Sequence, residues 1–223
     1  MKKYIFLLVF FAQLVIANSQ SVTRIWVGST TSDDWNEPTN WDTGTVPDVN
    51  SIVNIPHLST GFKYPKLSSL SNAKEVTIEA NATLDLSTFS IIKADSFTCK
   101  IINKGILKLE GTSEHRTWFN TPPLHAVDKI SLEDDSTVVY YGSSTADIFK
   151  GPYQNLRLLR DVKADRLDVS EKTLIERNIT ITVETQTYDG EVEAWDDVTF
   201  TTNTDSGTIT FNNKVLAKNT AHT

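Results

Sequence analysis

Short runs that alternate apolar with polar residues follow one another along most of this chain. They are rich in Thr and β-branched residues, and clusters of Asn, Asp, Gly and Ser separate them, which is typical of β-strands joined by turns. The clearest runs are residues 51–55, 82–86, 105–109, 136–141, 155–159, 178–183 and 208–211. No sustained helical period of apolar residues follows the N-terminal apolar segment. The pattern predicts an all-β protein.

One strand–corner–strand pattern recurs along the chain, and we interpret its copies as equivalent units. Each copy has an alternating strand, a corner with Asn or Asp, and then Thr with an apolar residue that begins another strand. The copies are Val76–Leu84, Ile130–Val138, Thr173–Ile181 and Val192–Phe200. The last two begin roughly 20 residues apart, close to one coil of a β-solenoid. We therefore expect buried apolar positions and exposed corners. A β-sandwich is the alternative, because short alternating strands also suit that fold.

Residues 1–19 have the parts of a secretory signal peptide. Lysines supply positive charge at the start, an apolar stretch runs from Tyr4 to Ile16, and small residues precede Gln20, as a signal peptidase requires. The apolar stretch is shorter than the ~20 residues that a transmembrane helix needs. We therefore expect cleavage before Gln20, a secreted or cell-surface location, and no membrane span in the mature chain.

The rest of the chain divides by composition into two segments. Residues 20–66 are rich in Trp and Pro and are interpreted as an N-terminal cap, and residues 67–223 are interpreted as the β-solenoid domain. The sequence stops shortly after a predicted strand. Either further coils follow, so that this solenoid is truncated at its C-terminus, or the last coil is uncapped, which would invite aggregation or packing against another chain.

Charge and cysteine content exclude several classes of function. The net charge of −7 argues against binding to nucleic acid and to anionic membranes. Cys99 has no second cysteine to pair with, and its alternating strand predicts a buried thiol. The histidines are scattered without metal-ligand spacing, and no phosphate loop or catalytic motif occurs. We expect no cofactor, no metal and no catalytic centre.

Acidic doublets are the strongest candidates for catalytic carboxylates or Ca²⁺ ligands. Asp134-Asp135 and Asp196-Asp197, however, lie at the corner of the repeat, where another copy has Ala80-Asn81. Corners favour Asp and Asn because these side chains bond to nearby backbone and tolerate unusual φ angles. The turn interpretation is therefore favoured over a catalytic or metal-binding one.

The strongest local constellation combines Asp34, Trp35, Asn40 and Trp41. One hypothesis is a glycan-stacking platform, in which the indole rings pack on sugars and the Asp and Asn side chains bind hydroxyl groups. The other is that the tryptophans, together with Trp26, seal the open end of the solenoid. A large ring with a single N–H suits a cap over an apolar core, and this second interpretation is favoured.

Several short motifs resemble large bacterial surface proteins of the filamentous-haemagglutinin and autotransporter β-helix type, in particular their N-terminal part. The matching segments are Trp26–Gly28, Asp34-Trp35, Asn40–Gly44, Val46-Pro47, Ile52–Pro56, Ser136–Gly142, Tyr153–Leu158, Gln186–Gly190 and Gly207–Phe211. The resemblance implies a right-handed parallel β-helix and a role in adhesion or surface display. It supplies no catalytic residues.

These observations predict a secreted bacterial surface protein that is adhesin-like or structural and has no enzymatic activity. Its expected partner is a host surface protein or a glycan. The alternative is a polysaccharide-binding module or a polysaccharide-active β-helix enzyme. A lateral groove on one outer face, with carboxylates gathered beside an exposed Trp35 or Trp41, would distinguish the alternative.

Overall fold

The computed structural model describes residues 20–92, 99–111, 130–149, 151–202 and 204–218. In these residues the protein is all-β, as predicted, with a single short 3₁₀ turn at Pro38–Asn40. The strands are β1 (Val22–Ile25), β2 (Ser51–Ile55), β3 (Ser71–Asn72), β4 (Glu75–Ile78), β5 (Thr83–Asp85), β6 (Ile91–Ile92), β7 (Lys100–Asn103), β8 (Ile106–Leu109), β9 (Ile130–Leu132), β10 (Thr137–Tyr140), β11 (Ala146–Asp147), β12 (Asn155–Leu158), β13 (Val162–Val169), β14 (Thr173–Ile175), β15 (Ile179–Tyr188), β16 (Val192–Ala194), β17 (Val198–Thr201), β18 (Thr208–Phe211) and β19 (Val215–Ala217).

The strands form four sheets. The N-terminal sheet has the order β1-β2-β4-β7-β9, and the central sheet has the order β19-β16-β14-β12-β10-β8-β5. The third sheet is β11-β13-β15-β17 with β18 also on β15, and β3 pairs with β6. Neighbouring strands in all four sheets are parallel. Parallel pairing argues against the sandwich alternative, which is built from antiparallel strands.

Successive passes of the chain lie directly above one another in the central and third sheets. Arg157 bonds to Glu176 and Thr201 bonds to Thr182, in each case across a separation of 19 residues. This spacing agrees with the step of roughly 20 residues that the repeat predicts. Strands β1 and β2, although they lie in the Trp- and Pro-rich segment 20–66, belong to the same N-terminal sheet as β4.

The repeat correctly predicts which side chains are inside. Among the shared apolar positions, Ile78, Leu84, Val138, Ile175 and Ile181 are 0% exposed, Leu132 and Phe200 pack partly buried against the core, and Ala194 is half-buried. All corner residues of the four copies are exposed. Two corners also have the unusual backbone expected of Asn and Asp, with φ of 62° at Asn81 and 64° at Asp135.

The interpretation of the four copies as equivalent is wrong. In the copies that begin at Val76 and Ile130, the corner joins the N-terminal sheet to the central sheet. In the copies that begin at Thr173 and Val192, it joins the central sheet to the third sheet. Two distinct corners accept the same sequence because both require an alternating strand, a polar turn and a second strand.

A further unit, built from β7 and β8, lies between the first two copies and was missed. Its corner is shorter and is filled from within by buried Asn103, whose Oδ1 accepts from the Gly105 N–H (3.1 Å) and whose Nδ2 donates to the Thr137 carbonyl (3.2 Å). A Cβ at Gly105 would lie 2.4 Å from the Glu79 carbonyl oxygen. Only glycine therefore fits this corner, and the Asn/Asp signature is absent from it.

Three tyrosine hydroxyls are buried in the core between residues 140 and 188. The Tyr140 and Tyr153 hydroxyls lie 3.0 Å apart, and the Tyr153 hydroxyl donates to the Phe149 carbonyl oxygen at 2.6 Å. The Tyr188 hydroxyl donates to Gln186 Oε1 at 3.0 Å. Burial raises the pKa of all three phenols above the ordinary value of 10.0, because the phenolate would be desolvated.

We expect the protein to unfold at alkaline pH. Below pH 10 the tyrosines are protonated in both states, so their pKa difference has no effect. Above pH 10 the unfolded chain loses these protons first, so the free energy of unfolding falls as the pH rises. Tyrosinate absorbance and circular dichroism, recorded together during a pH titration, should therefore change in one transition. Full tyrosine ionisation at about pH 10 with an unchanged circular dichroism spectrum would contradict this expectation.

Candidate functional site

The structure places the predicted tryptophan constellation inside the core. Trp26 and Trp35 are 0% exposed and Trp41 is 2% exposed. Trp41 lies between the other two rings, with centroid distances of 5.0 Å to Trp26 and 4.9 Å to Trp35 and edge-to-face geometry in both pairs. Its Nε1 donates to the Trp35 carbonyl oxygen at 2.8 Å, and Trp26 Nε1 donates to the Lys63 carbonyl oxygen at 2.9 Å.

The polar members of the constellation hold the same loop together. Asp34 Oδ1 accepts from the Ser68 hydroxyl (2.8 Å) and from the Asn36 N–H (2.9 Å). Asn40 is fully buried, and its Nδ2 donates to the Asp34 carbonyl oxygen at 3.0 Å. In this arrangement neither indole presents a face to solvent, so Trp35 and Trp41 cannot stack on a sugar ring. The hypothesis of a glycan-stacking platform formed by Trp35, Trp41, Asp34 and Asn40 is corrected accordingly. The burial agrees with a sealing role, although Trp35 Nε1 and Asn40 Oδ1 have no hydrogen-bond partner among the described residues.

A different surface has the shape of a binding site. A groove of about 590 Å³ runs across the outer face of the central sheet, and we call it the central-sheet groove. Its lining consists of Lys108, Glu110, Val139, Tyr141, Gly142, Ser143, Arg157, Leu159 and Arg177. A second depression of about 250 Å³ shares Val139 and Arg157 with it and continues past Lys172 and Leu174.

The register of the strands explains why these side chains form one row. Lys108 of β8 pairs with Val139 of β10, which pairs with Arg157 of β12, which pairs with Leu174 of β14. The residues immediately before and after each of these four in its strand point into the core. Because side chains alternate along a strand, all four therefore point outward. Val139 is only 4% exposed, although it lies on the outer face. The stems of the flanking Lys108 and Arg157 fit this burial, because long cationic side chains cover apolar surface.

Tyr141 forms one wall of the groove and is held by a buried carboxylate. Its hydroxyl donates to Asp85 Oδ1 at 2.8 Å, and Lys108 Nζ lies 3.5 Å from Asp85 Oδ2 and 5.0 Å from the centroid of the Tyr141 ring. The Ser87 N–H also donates to Asp85 Oδ1 at 2.8 Å. Partial burial, followed by the interaction with Asp85, raises the pKa of the Tyr141 phenol. Tyr141 is therefore neutral at physiological pH and is fixed in position.

Two guanidinium groups form the opposite wall. Arg157 makes a paired contact with Glu176 Oε2, at 2.7 Å from Nε and 2.6 Å from the terminal nitrogen, and this contact fixes the plane of the group. Arg177 is exposed at the next corner. It has no hydrogen bond or ion pair to any residue in the described ranges. Its five N–H donors are therefore free to bind a ligand.

The turn that closes one end of the groove is held in place by hydrogen bonds from Arg160. Arg160, which is 6% exposed, donates to the carbonyl oxygens of Glu110 and Tyr141 (2.8 Å for the latter) and to the Ser144 hydroxyl at 2.7 Å. Burial lowers the pKa of this guanidinium. Gly142 has a φ of +116°, and a Cβ there would lie 2.7 Å from an Arg160 nitrogen. The backbone wall of the groove is thus preformed.

The groove was not predicted from the sequence, although one local pattern is consistent with it. The run Val138-Val139-Tyr140-Tyr141 breaks the expected alternation, so two of its large side chains must face outward. Val139 and Tyr141 therefore give the outer face of the central sheet an apolar and an aromatic side chain. The remaining lining residues come from other coils, and only the register brings them together.

Within the described residues, no group of three or more His, Cys, Asp or Glu is placed to hold a metal ion. Cys99 is buried, as predicted. The described part of the chain has no helix with the length and apolar character needed to cross a membrane. No protein-family model, curated protein or solved structure matches this chain. The function must therefore be argued from the molecule itself.

Proposed function

We propose that this chain is an exported right-handed parallel β-helix that serves as an adhesin-like surface module of a bacterium, without catalysis. The observation that carries the proposal is the parallel stacking of the central sheet from β5 to β19, in which Arg157 bonds to Glu176 across a separation of 19 residues. A strand that returns to its own sheet in parallel does so almost always by a right-handed connection. Such a stack presents long, regular outer faces, as an adhesive module requires.

Export is supported by the N-terminal segment. Its lysines, its apolar stretch from Tyr4 to Ile16 and the small residues before Gln20 fit a signal peptide. The resemblance of Trp26–Gly28 and Asn40–Gly44 to surface β-helices points in the same direction. A host surface protein or a glycan is the proposed partner.

The absence of catalysis is proposed because the carboxylates beside the groove already have structural partners. Asp85 is bonded to Tyr141 and Ser87, Glu176 is bonded to Arg157, and Glu110 Oε1 accepts from the Ser87 hydroxyl at 3.5 Å. A general acid or base must instead be poised toward a substrate. The groove nevertheless favours a second candidate, a polysaccharide-binding or polysaccharide-active β-helix, because it is a lateral depression with polar walls and an aromatic side chain.

Surface display tests the first candidate. The full chain with a C-terminal epitope tag should appear on or outside bacterial cells, and deletion of residues 1–19 should retain it inside. Cells that display the chain should attach to epithelial cells or glycan-coated surfaces more than cells carrying the deletion. Equal attachment by the two strains would contradict an adhesive role.

Depolymerisation tests the second candidate. The exported chain should leave pectin, alginate and xylan intact, with or without Ca²⁺. Release of reducing ends that is lost in Glu110→Gln would establish a polysaccharide-active enzyme instead.

A further inference from the structure

We propose that the central-sheet groove binds an extended, uncharged glycan, and this rests on the proposed function because it names the ligand of the adhesive module. The groove has the length that a polymer needs. It crosses β8, β10, β12 and the corner after β14, and its neighbour continues along the same strands. Four adjacent parallel strands span about 15 Å. A small compact ligand would leave most of this length empty.

The charges in and beside the groove are balanced. Lys108 lies against Asp85, and Arg157 lies against Glu176. Glu110 and Arg177 supply one further charge of each sign. The whole chain carries a net charge of −7. An anionic polymer would therefore find Lys108 and Arg157 already neutralised by carboxylates and would meet a repulsive field around the protein, whereas an uncharged polymer would not.

The same paired groups suit sugar hydroxyls. A hydroxyl both donates and accepts, so it can accept from a guanidinium and donate to the adjacent carboxylate at one position. The Arg157–Glu176 pair offers this combination in a fixed plane. Arg177 offers donors that no described residue uses. A rigid donor set costs little conformational entropy on binding.

The floor of the groove suits the C–H faces of sugar rings. Leu159 presents partly exposed apolar surface above the nearly buried Val139, and Tyr141 adds an aromatic ring that its bond to Asp85 holds in place. Aromatic and apolar surface between fixed polar groups is the usual composition of a small-molecule or polymer site. The glycan site is thus on the outer face of the sheet and not at the buried tryptophans.

Affinity electrophoresis of the exported full chain against a panel of polysaccharides tests this inference. The uncharged members are xyloglucan, β-glucan and galactomannan, and the acidic members are alginate, pectate and dextran sulfate. We expect retardation by at least one uncharged polymer. Arg177→Ala and Arg157→Ala should each weaken it by about tenfold, the loss expected for a hydrogen bond to a charged group. Arg166→Ala is the matched control, since Arg166 is an exposed arginine on the third sheet; it should bind as the unchanged chain does.

Three results would overturn the inference. They are retardation by acidic polymers only, binding that Arg177→Ala and Arg157→Ala leave unchanged at an unchanged melting temperature, and retardation by none of the polymers. The attachment assay separates this inference from the proposed function. If Arg177→Ala leaves attachment unchanged, the groove is not the adhesive site, but the proposed adhesive function is not contradicted. If the chain binds an uncharged glycan but is never displayed on the cell, the surface role is contradicted and the inference about the groove is not.

Discussion

Gly190→Ala is expected to destabilise the protein by about 3 kcal/mol or more, the upper range for overpacking a close-packed site. A Cβ at residue 190 would lie 1.1 Å from the Glu171 carbonyl oxygen and 2.1 Å from its carbonyl carbon. These are backbone atoms of the preceding pass of the chain, so they cannot turn away as a side chain can. On one side of the glycine Asp189 N–H donates to Val169 O, and on the other Glu191 O accepts from Thr173 N–H. Backbone hydrogen bonds therefore hold the chain against its preceding pass on both sides of Gly190.

Gly44→Ala is the matched control. Gly44 also lies in a turn, and its φ is +61°, but nothing lies within 4 Å of a Cβ built there. Its substitution should cost only the backbone strain of a non-glycine residue with positive φ, about 1 kcal/mol. Urea unfolding at constant pH, compared at unchanged m-value, measures both changes. Equal losses in the two variants would show that coil stacking at Gly190 is looser than the structure indicates.

The stacking that Gly190 permits was only partly predictable from sequence. Alternation identified the inward positions correctly because burial on one face is a local property of a strand. The corners at Asn81 and Asp135 were predictable for the same reason, since their side chains satisfy nearby backbone. Which two sheets a corner joins was not predictable. The same strand–turn–strand sequence serves either corner, and the choice depends on the coil beneath it.

The candidate site was harder to predict because it is built from several coils. Lys108, Val139 and Arg157 are neighbours only through the register of three parallel strands. No local pattern links them, and each has an ordinary sequence environment. For the tryptophans, the sequence pointed to an exposed site that the structure does not have. Trp35 and Trp41 cluster in sequence with polar residues, but Asn40 bonds to the Asp34 carbonyl and Asp34 bonds to Ser68, and both rings are buried in the core.

Trp41→Ala is expected to cost about 3–5 kcal/mol, as for the removal of a large buried ring. The substitution removes both edge-to-face contacts, at 5.0 Å and 4.9 Å. It also leaves the buried Trp35 carbonyl without the indole N–H that bonds to it at 2.8 Å. Trp195→Ala is the control, because Trp195 is 40% exposed, although its Nε1 bonds to Glu193 at 2.8 Å. Its loss should cost less than about 1 kcal/mol, as is usual for surface substitutions.

The number of unfolding transitions in Trp41→Ala distinguishes a cap from a separable module. Trp26 N–H donates to the Asn54 carbonyl oxygen of β2 at 2.9 Å, and Val27 N–H donates to the Asn40 carbonyl oxygen at 2.9 Å. The tryptophan loop is thus joined by backbone hydrogen bonds to a sheet that continues through β4 and β7. Loss of the central ring should therefore lower the stability of the stacked coils as well, and urea should unfold the variant in one transition at a lower midpoint. A separate early transition in tryptophan fluorescence, with the circular dichroism midpoint unchanged, would instead mean that the loop folds independently of the coils it covers.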